Sequence, residues 1–236
     1  MRVPDSTVFV AETAVVVCEK LAQFIARQIA ERDGPFRLAL SGGKTPQLLY
    51  QTLAGLPITW THVEFFWGDE RFVPHDDPDS NYRMADENLL SRISVPSTQI
   101  HPIPTGASPE VAAAQYEGLL KQHYGGDVLK PGRPLFDLNL LGIGQDGHTA
   151  SLLPDQPVLK ERKKWVAAVP HGRNEPRITL TYPTLQSSAV TVFLAVGRDK
   201  ANAVHQARAG NEAIPAGRLR PEGSVLWFLD DAAARG

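Results

Sequence analysis

The chain has 236 residues, 42% hydrophobic and 21% charged, with a formal net charge of -2. This is the balance of an ordinary folded protein, and it excludes disordered and collagen-like classes; no basic run is interleaved with aromatics, so no nucleic-acid partner is expected. One cysteine, Cys18, excludes an intramolecular disulfide, and no run approaches the ~18 apolar residues that span a bilayer, so the expectation is a cytoplasmic protein with no membrane partner.

In chain order, residues 8–10 read as a short strand. Residues 12–32 read as an amphipathic helix, because Ala14, Cys18, Leu21, Ala22, Ile25 and Ile29 recur at three- and four-residue intervals. Asp33, Gly34 and Pro35 stop that helix. A buried strand, Phe36–Leu40, then runs into SGGKTP at 41–46, where Thr45 suits a helix N-cap and Pro46 the first helical position. A second strand, Val63–Trp67, leads into Gly68, Asp69, Glu70 and Arg71 and a polar loop to Ser80, where a helix is expected to begin. Pro109–Tyr124 reads as a helix, residues 131–134 as a turn and Phe136–Leu141 as a strand. Further strands are expected at 165–169, 178–182, 190–196 and 224–229, with a helix at 199–209. The run KERKK at 160–164 reads as a solvated face.

Strands alternating with helices predict a three-layer α/β/α domain over 1–236 with a mainly parallel, Rossmann-like sheet. In such sheets ligands bind beyond the carboxyl ends of the strands. Three loops rich in glycine and charge, at 41–46, 68–71 and 142–148, each follow an expected strand. If the strands are parallel, these loops converge on one edge.

In the first loop, Ser41, Gly42, Gly43 and Lys44 precede a helix, so backbone N–H groups and the helix dipole suit an anion such as phosphate. A nucleotide-binding P-loop would need glycine at position 38, where the chain has Leu38. In the second, Asp69 and Arg71 stand two positions apart and can face one side of an extended chain, with Arg71 a planar donor for phosphate or carboxylate. The third, GIGQDGH, has three glycines, Asp146 and His148 within residues 142–148, a density that favours close approach of a ligand to Gly144, Asp146 and Gly147. A histidine of ordinary pKa, ~6.5, can take and return a proton near neutrality, with Asp146 or Asp69 as the candidate to orient it.

Other chemistries fit less well. The seven histidines form no HxH or HxxxH pair and no second cysteine is present, so no required metal and no cofactor are expected. Ser151 lies in TASLL rather than a G-x-S-x-G elbow, so water is the better nucleophile. Cys18 lies on the apolar face of the first helix and reads as core. Arg177 and Lys200 stand out as cations beside strands, although position alone leaves them as surface charge.

SGGKTP, GDERFVPHDDPDSNYRMA, LLGIGQDGHTASLLP, PRITLT and VGRDKA together resemble, in order and over most of the chain, the motif series of the 6-phosphogluconolactonase family. The resemblance implies metal-independent hydrolysis of 6-phospho-D-glucono-1,5-lactone to 6-phosphogluconate, on a fold shared with glucosamine-6-phosphate deaminase. It further implies His148 as catalytic base, Asp69 beside the reacting end of the sugar, and phosphate held by residues 41–44 with Arg71, Arg177 and Lys200. Lys44 departs from the small hydroxyl residue usual in that loop. The isomerases and deaminases of this fold resemble D-G-H-I-A-F-N-E-P, with a glutamate before the proline; here that place is Leu153. A non-catalytic sugar-phosphate sensor is a further reading, but such sensors carry a DNA-binding segment for which the motifs leave no room. For assembly, a monomer or weak dimer is expected.

Overall fold

The computed structural model describes residues 6–171 and 173–235. Its elements in chain order are β1 (Ser6–Ala11), α1 (Ala14–Ala30), β2 (Phe36–Leu40), α2 (Lys44–Ala54), β3 (Val63–Trp67), β4 (Asp69–Arg71), α3 (Asn81–Asn88), α4 (Pro109–Tyr124), β5 (Phe136–Leu141), β6 (Val166–Val169), β7 (Arg177–Leu180), α5 (Tyr182–Gln186), β8 (Ser188–Ala195), α6 (Ala201–Arg208), β9 (Ser224–Asp230) and α7 (Asp231–Arg235), with short 3-10 turns between.

The main sheet has six strands in the order β1-β9-β8-β5-β2-β3, and every pair is parallel. Its inner strands are near-continuous apolar runs; in β2 (FRLAL) and β5 (FDLNLL) only the second residue is not buried. Such runs belong to strands covered on both faces, and helices flank this sheet as expected. α1 buries Val17, Cys18, Leu21, Ala22, Ile25 and Ile29 along one stripe, with Thr13 capping its start. Apolar residues from all the main elements form one buried cluster. Among the described residues, no helix is long and apolar enough to cross a membrane.

From β2 the chain turns outward to β3, and from β5 it turns the other way to β8 and β9. The strand order therefore reverses between β2 and β5, which lie side by side. Loops at such a switch point diverge and leave a crevice.

The expected strand at 178–182 ends at Leu180, with Tyr182 starting α5, and two further differences from expectation lie beside the site. α2 starts at Lys44, capped by Gly43 rather than Thr45, and Pro46 falls inside its first turn. Gly43 ends the loop early in a conformation of φ 111° that excludes most residues, and a proline in the first turn lacks only an N–H that has no helical partner. The second difference is larger. The segment after Trp67 is not simply a loop: β4 pairs antiparallel with β7, and β7 with β6, in a separate three-stranded sheet. Gly68 hands the chain from one sheet to the other, its N–H donating to Leu40 O (2.9 Å) and its carbonyl accepting from Leu180 N (2.9 Å).

Candidate active site

The loops at the carboxyl ends of β2, β3 and β5 do converge. With the turn after β8 and the start of β7, they line a cavity of about 200 Å³ bounded by Ser41, Gly42, Gly43, Asp69, Arg71, Asn81, Gly144, His148, Arg177 and Lys200, among others. A larger cleft of about 790 Å³ lies elsewhere, between α4 and residues 157–168, and its lining includes none of these groups. That cleft is lined by charged side chains, of which Lys121 and Glu117 pair at 2.8 Å, and by no histidine, so the smaller cavity is the one equipped for chemistry.

The β5 loop folds back on itself. Gly144 N donates to His148 O (2.8 Å) and Thr149 Oγ1 to Gly142 O (2.8 Å). This brings the His148 ring over Gly144, where a Cβ would lie 2.0 Å from His148 Nδ1 and 2.5 Å from Asp146 Oδ1. Glycine is therefore required at 144 for the histidine and aspartate to meet. His148 Nδ1 lies 2.5 Å from Asp146 Oδ1, and the His148 backbone N–H donates to the same oxygen at 3.2 Å. Arg173 Nη2 donates to the other Asp146 oxygen at 3.1 Å. Burial would raise the Asp146 carboxyl, but the hydrogen bonds and charge of His148, with the Arg173 charge, outweigh it and hold the group below the usual carboxylate range. With Nδ1 occupied, Nε2 is the ring nitrogen left to face a reactant.

Asp69 is held differently. It is 6% exposed and accepts from Ser151 Oγ at 2.6 Å, while Asn81 Nδ2 donates to its backbone carbonyl at 2.9 Å. Ser151 reaches it because Ala150 turns the chain with φ 47°, a left-handed conformation uncommon for alanine. Gly42 makes room for Asn81, since a Cβ there would lie 1.9 Å from Asn81 Oδ1. Glu70 points the other way along β4, buried, and accepts from the backbone N–H groups of Asn81 (2.7 Å) and Tyr82 (2.8 Å) at the start of α3; burial pushes its carboxyl up.

Three cations line the same cavity. Arg71 and Arg177 are direct register partners across β4 and β7. Arg71 Nη1 donates to Asp79 O (2.5 Å) and Arg177 Nη2 to Glu175 (2.6 Å), yet the Nε of each is buried without a partner, as is Ser41 Oγ. Three unsatisfied groups lining one cavity mark a place where an anion completes the hydrogen bonding. Lys200 joins them from the turn after β8, and Gln145 Nε2 ties the β5 loop to that turn through Asp199 Oδ2 (2.7 Å).

The structure thus brings Ser41, Gly42, Gly43, Asp69, Arg71, Gly144, His148, Arg177 and Lys200 to one cavity. Lys44 instead borders an adjoining cavity of about 310 Å³, which shares Gly42, Gly43 and Lys200. Asp146 and Gly147 stand outside the lining: Asp146 contacts His148, and Gly147 is held by backbone bonds to Gly144 O and Ala216 N, both 2.9 Å. Sequence reasoning passed over Asn81 and Arg173, and weighed Ser151 only as a nucleophile, not as the donor to Asp69. Asn81 and Ser151 lie inside motifs it singled out, but nothing local to Arg173 points to His148.

The profile of the family described as glucosamine-6-phosphate isomerases/6-phosphogluconolactonase matches residues 9–227. The chain belongs to that family. Within the glucosamine-6-phosphate isomerase/6-phosphogluconolactonase family it is 41% identical over 213 residues to the 6-phosphogluconolactonase of Synechocystis sp., covering 89% of this chain and 87% of that one. It is 38% identical over 235 residues to the 6-phosphogluconolactonase of Nostoc sp., covering 98% and 94%. The structure of 6-phosphogluconolactonase from Leishmania guyanensis matches with a TM-score of 0.86 and 30% identity over 98% of each chain. The family resemblance and the parallel α/β fold expected from the motifs are both borne out.

Proposed function

We propose that this chain hydrolyses 6-phospho-D-glucono-1,5-lactone to 6-phospho-D-gluconate, the lactonase step of the oxidative pentose phosphate pathway. Relatives 38% and 41% identical to this chain bear the lactonase name. The observation that carries the reading is the cavity itself: its lining combines an oriented histidine with two arginines whose buried Nε atoms have no partner.

The phosphate is held by Arg71, Arg177 and Lys200 with the 41–44 loop, which sets the far end of the sugar against His148. Asp146 keeps the Nδ1 proton of His148 and leaves Nε2 to draw a proton from water over the lactone C1. The water oxygen bonds to C1, charge gathers on the carbonyl oxygen, and collapse breaks the C1–O5 bond. The imidazolium returns its proton to O5, and the new acid ionises to release one proton to solvent. Acid-base catalysis of this kind contributes ~10²–10⁴ in rate, and anchoring through the phosphate adds to it. Asp69, held by Ser151, stands beside the reacting end and is an acceptor for a substrate hydroxyl or the water. Gly144 serves the site by admitting the ring.

Leu153 is buried in the core, where an isomerase or deaminase of this fold carries its glutamate. That supports ester hydrolysis over ring-opening isomerisation. The same reading has the chain acting as a single domain, as a monomer or weak dimer, in the cytoplasm, the last supported by one buried free thiol.

The test is a pH-stat assay of freshly generated lactone with wild type and His148→Ala. Wild type is expected to exceed the spontaneous rate by orders of magnitude and His148→Ala to lose at least a hundredfold. A wild type that only matches spontaneous hydrolysis refutes the activity, and a fully active His148→Ala refutes the mechanism.

A further inference from the structure

Away from the cavity, three side chains remote in sequence meet at the amino-terminal half of β3. Glu64 is the second residue of β3, His101 follows a backbone bond from its own N–H to Phe65 O (2.9 Å), and His123 is in the last turn of α4. One carboxylate oxygen of Glu64 and one ring nitrogen of each histidine lie within 4.8 Å of one another. Phe66 holds both rings, stacked on His101 at 4.7 Å and edge-on to His123 at 5.3 Å, and the two imidazoles are 4.3 Å apart.

This grouping is not satisfied as it stands. His101 is 8% exposed, and its Nε2 is buried with no hydrogen-bond partner. The His123 Nδ1 to Glu64 Oε1 distance is 3.6 Å, too long for a good hydrogen bond. A buried imidazole nitrogen without a partner costs free energy and calls for an explanation.

We propose that Glu64, His101 and His123 bind a divalent transition ion of the zinc class, in a structural role separate from the proposed lactonase site. Two imidazoles and a carboxylate are a donor set that suits zinc and cobalt, and water completes the fourth position. Zinc bonds of ~2.0–2.1 Å set tetrahedral ligand atoms about 3.3 Å apart, so closing this set takes side-chain movements on the order of 1 Å. Arg37 supplies the orienting shell such sites have: its Nε holds Glu64 Oε2 at 3.3 Å, and its Nη2 holds the His123 carbonyl at 2.9 Å. The Glu64 side chain is 19% exposed and that of His123 23%, which provides the path of entry. None of the three lines the cavity around His148. The ion clasps β3, the segment after residue 97 and the end of α4.

The full-length chain is treated with chelator and titrated with Zn²⁺ and with Co²⁺, followed by calorimetry and by cobalt visible absorption. His148→Ala serves as the background that removes the catalytic histidine as a ligand. One ion per chain is expected at micromolar Kd or tighter in both backgrounds, with Tm rising by roughly 5–10 °C when free ion is about a hundredfold above Kd. His123→Gln and Glu64→Gln replace half-buried groups, keep the circular dichroism of the wild type, and weaken binding at least tenfold. The wild-type lactone turnover is expected to be the same with and without the ion. Absence of binding up to millimolar ion, binding that survives His123→Gln, or binding that vanishes with His148→Ala each overturns the proposal.

Discussion

Arg71 and Arg177 face each other as register partners across the antiparallel pair β4 and β7, both at the rim of the cavity that holds His148. Like charges directly opposed on a sheet destabilise it, and here each Nε is also buried without a partner. A dianionic phosphate relieves both faults. Arg177→Ala is therefore expected to raise KM for the phosphorylated lactone by about 10–100-fold, the scale of one charged hydrogen bond of ~1.5–3 kcal/mol. Turnover of unphosphorylated gluconolactone is expected to stay within about twofold in the same variant, and steady-state kinetics on both substrates makes the comparison.

Gly144→Ala places a methyl group where the His148 ring and the Asp146 carboxylate now meet. The ring must move, because the crowded atoms belong to the pair itself rather than to a flexible surface chain. A fall in kcat of about a hundredfold or more is expected, with far-ultraviolet circular dichroism unchanged. A fully active Gly144→Ala enzyme means that the observed pairing is not the working one.

Ser151→Ala removes the hydroxyl that donates to Asp69 at 2.6 Å. Both groups are buried, so the carboxylate is left short of a donor, and stability is expected to fall by about 1.5–3 kcal/mol in urea unfolding. Activity is expected to fall with it. If Ser151 were a nucleophile instead, the variant would be dead with its stability intact.

Arg173→Ala is expected to let Asp146 titrate at higher pH. In the wild type the folded carboxyl lies below its unfolded value, despite burial, because of His148 and Arg173. A depressed carboxyl adds stability that is present above the usual carboxylate range and is lost as pH falls through the folded value. Carbon-13 NMR of the Asp146 carboxyl reads this directly: the midpoint moves up in the variant, and an unmoved midpoint removes Arg173 from the charge balance.

Cys18 is fully buried, and burial pushes its thiol up to about 11. The native protein is expected to resist alkylation at pH 8 while the urea-unfolded chain reacts with one equivalent. Rapid labelling of native protein contradicts the packing of α1 on the sheet.

Most of the main sheet was legible in the chain because its signals are local. Apolar runs at β2, β3 and β5 and the three- and four-residue repeat in α1 need only neighbouring residues to be read. The glycine-rich loops could be read for the same reason, since a close approach of backbone to ligand requires glycine whatever else the fold does. The parallel α/β architecture then brought the loops to one edge by topology.

What the chain by itself determined was therefore the sheet, its helices and the list of residues at its carboxyl edge. The tertiary structure alone decided which of them face one another. Asp69 meets Ser151 across 82 positions and His101 lies against His123 across 22, separations at which no periodicity survives. It also decided that Asp146, not Asp69, holds His148, and that Lys44 borders the neighbouring cavity. β6 and β7 were expected as strands, but β4 and the separate antiparallel pairing were hidden for the same reason: a strand of three residues carries almost no pattern of its own, and it exists because a distant strand pairs with it.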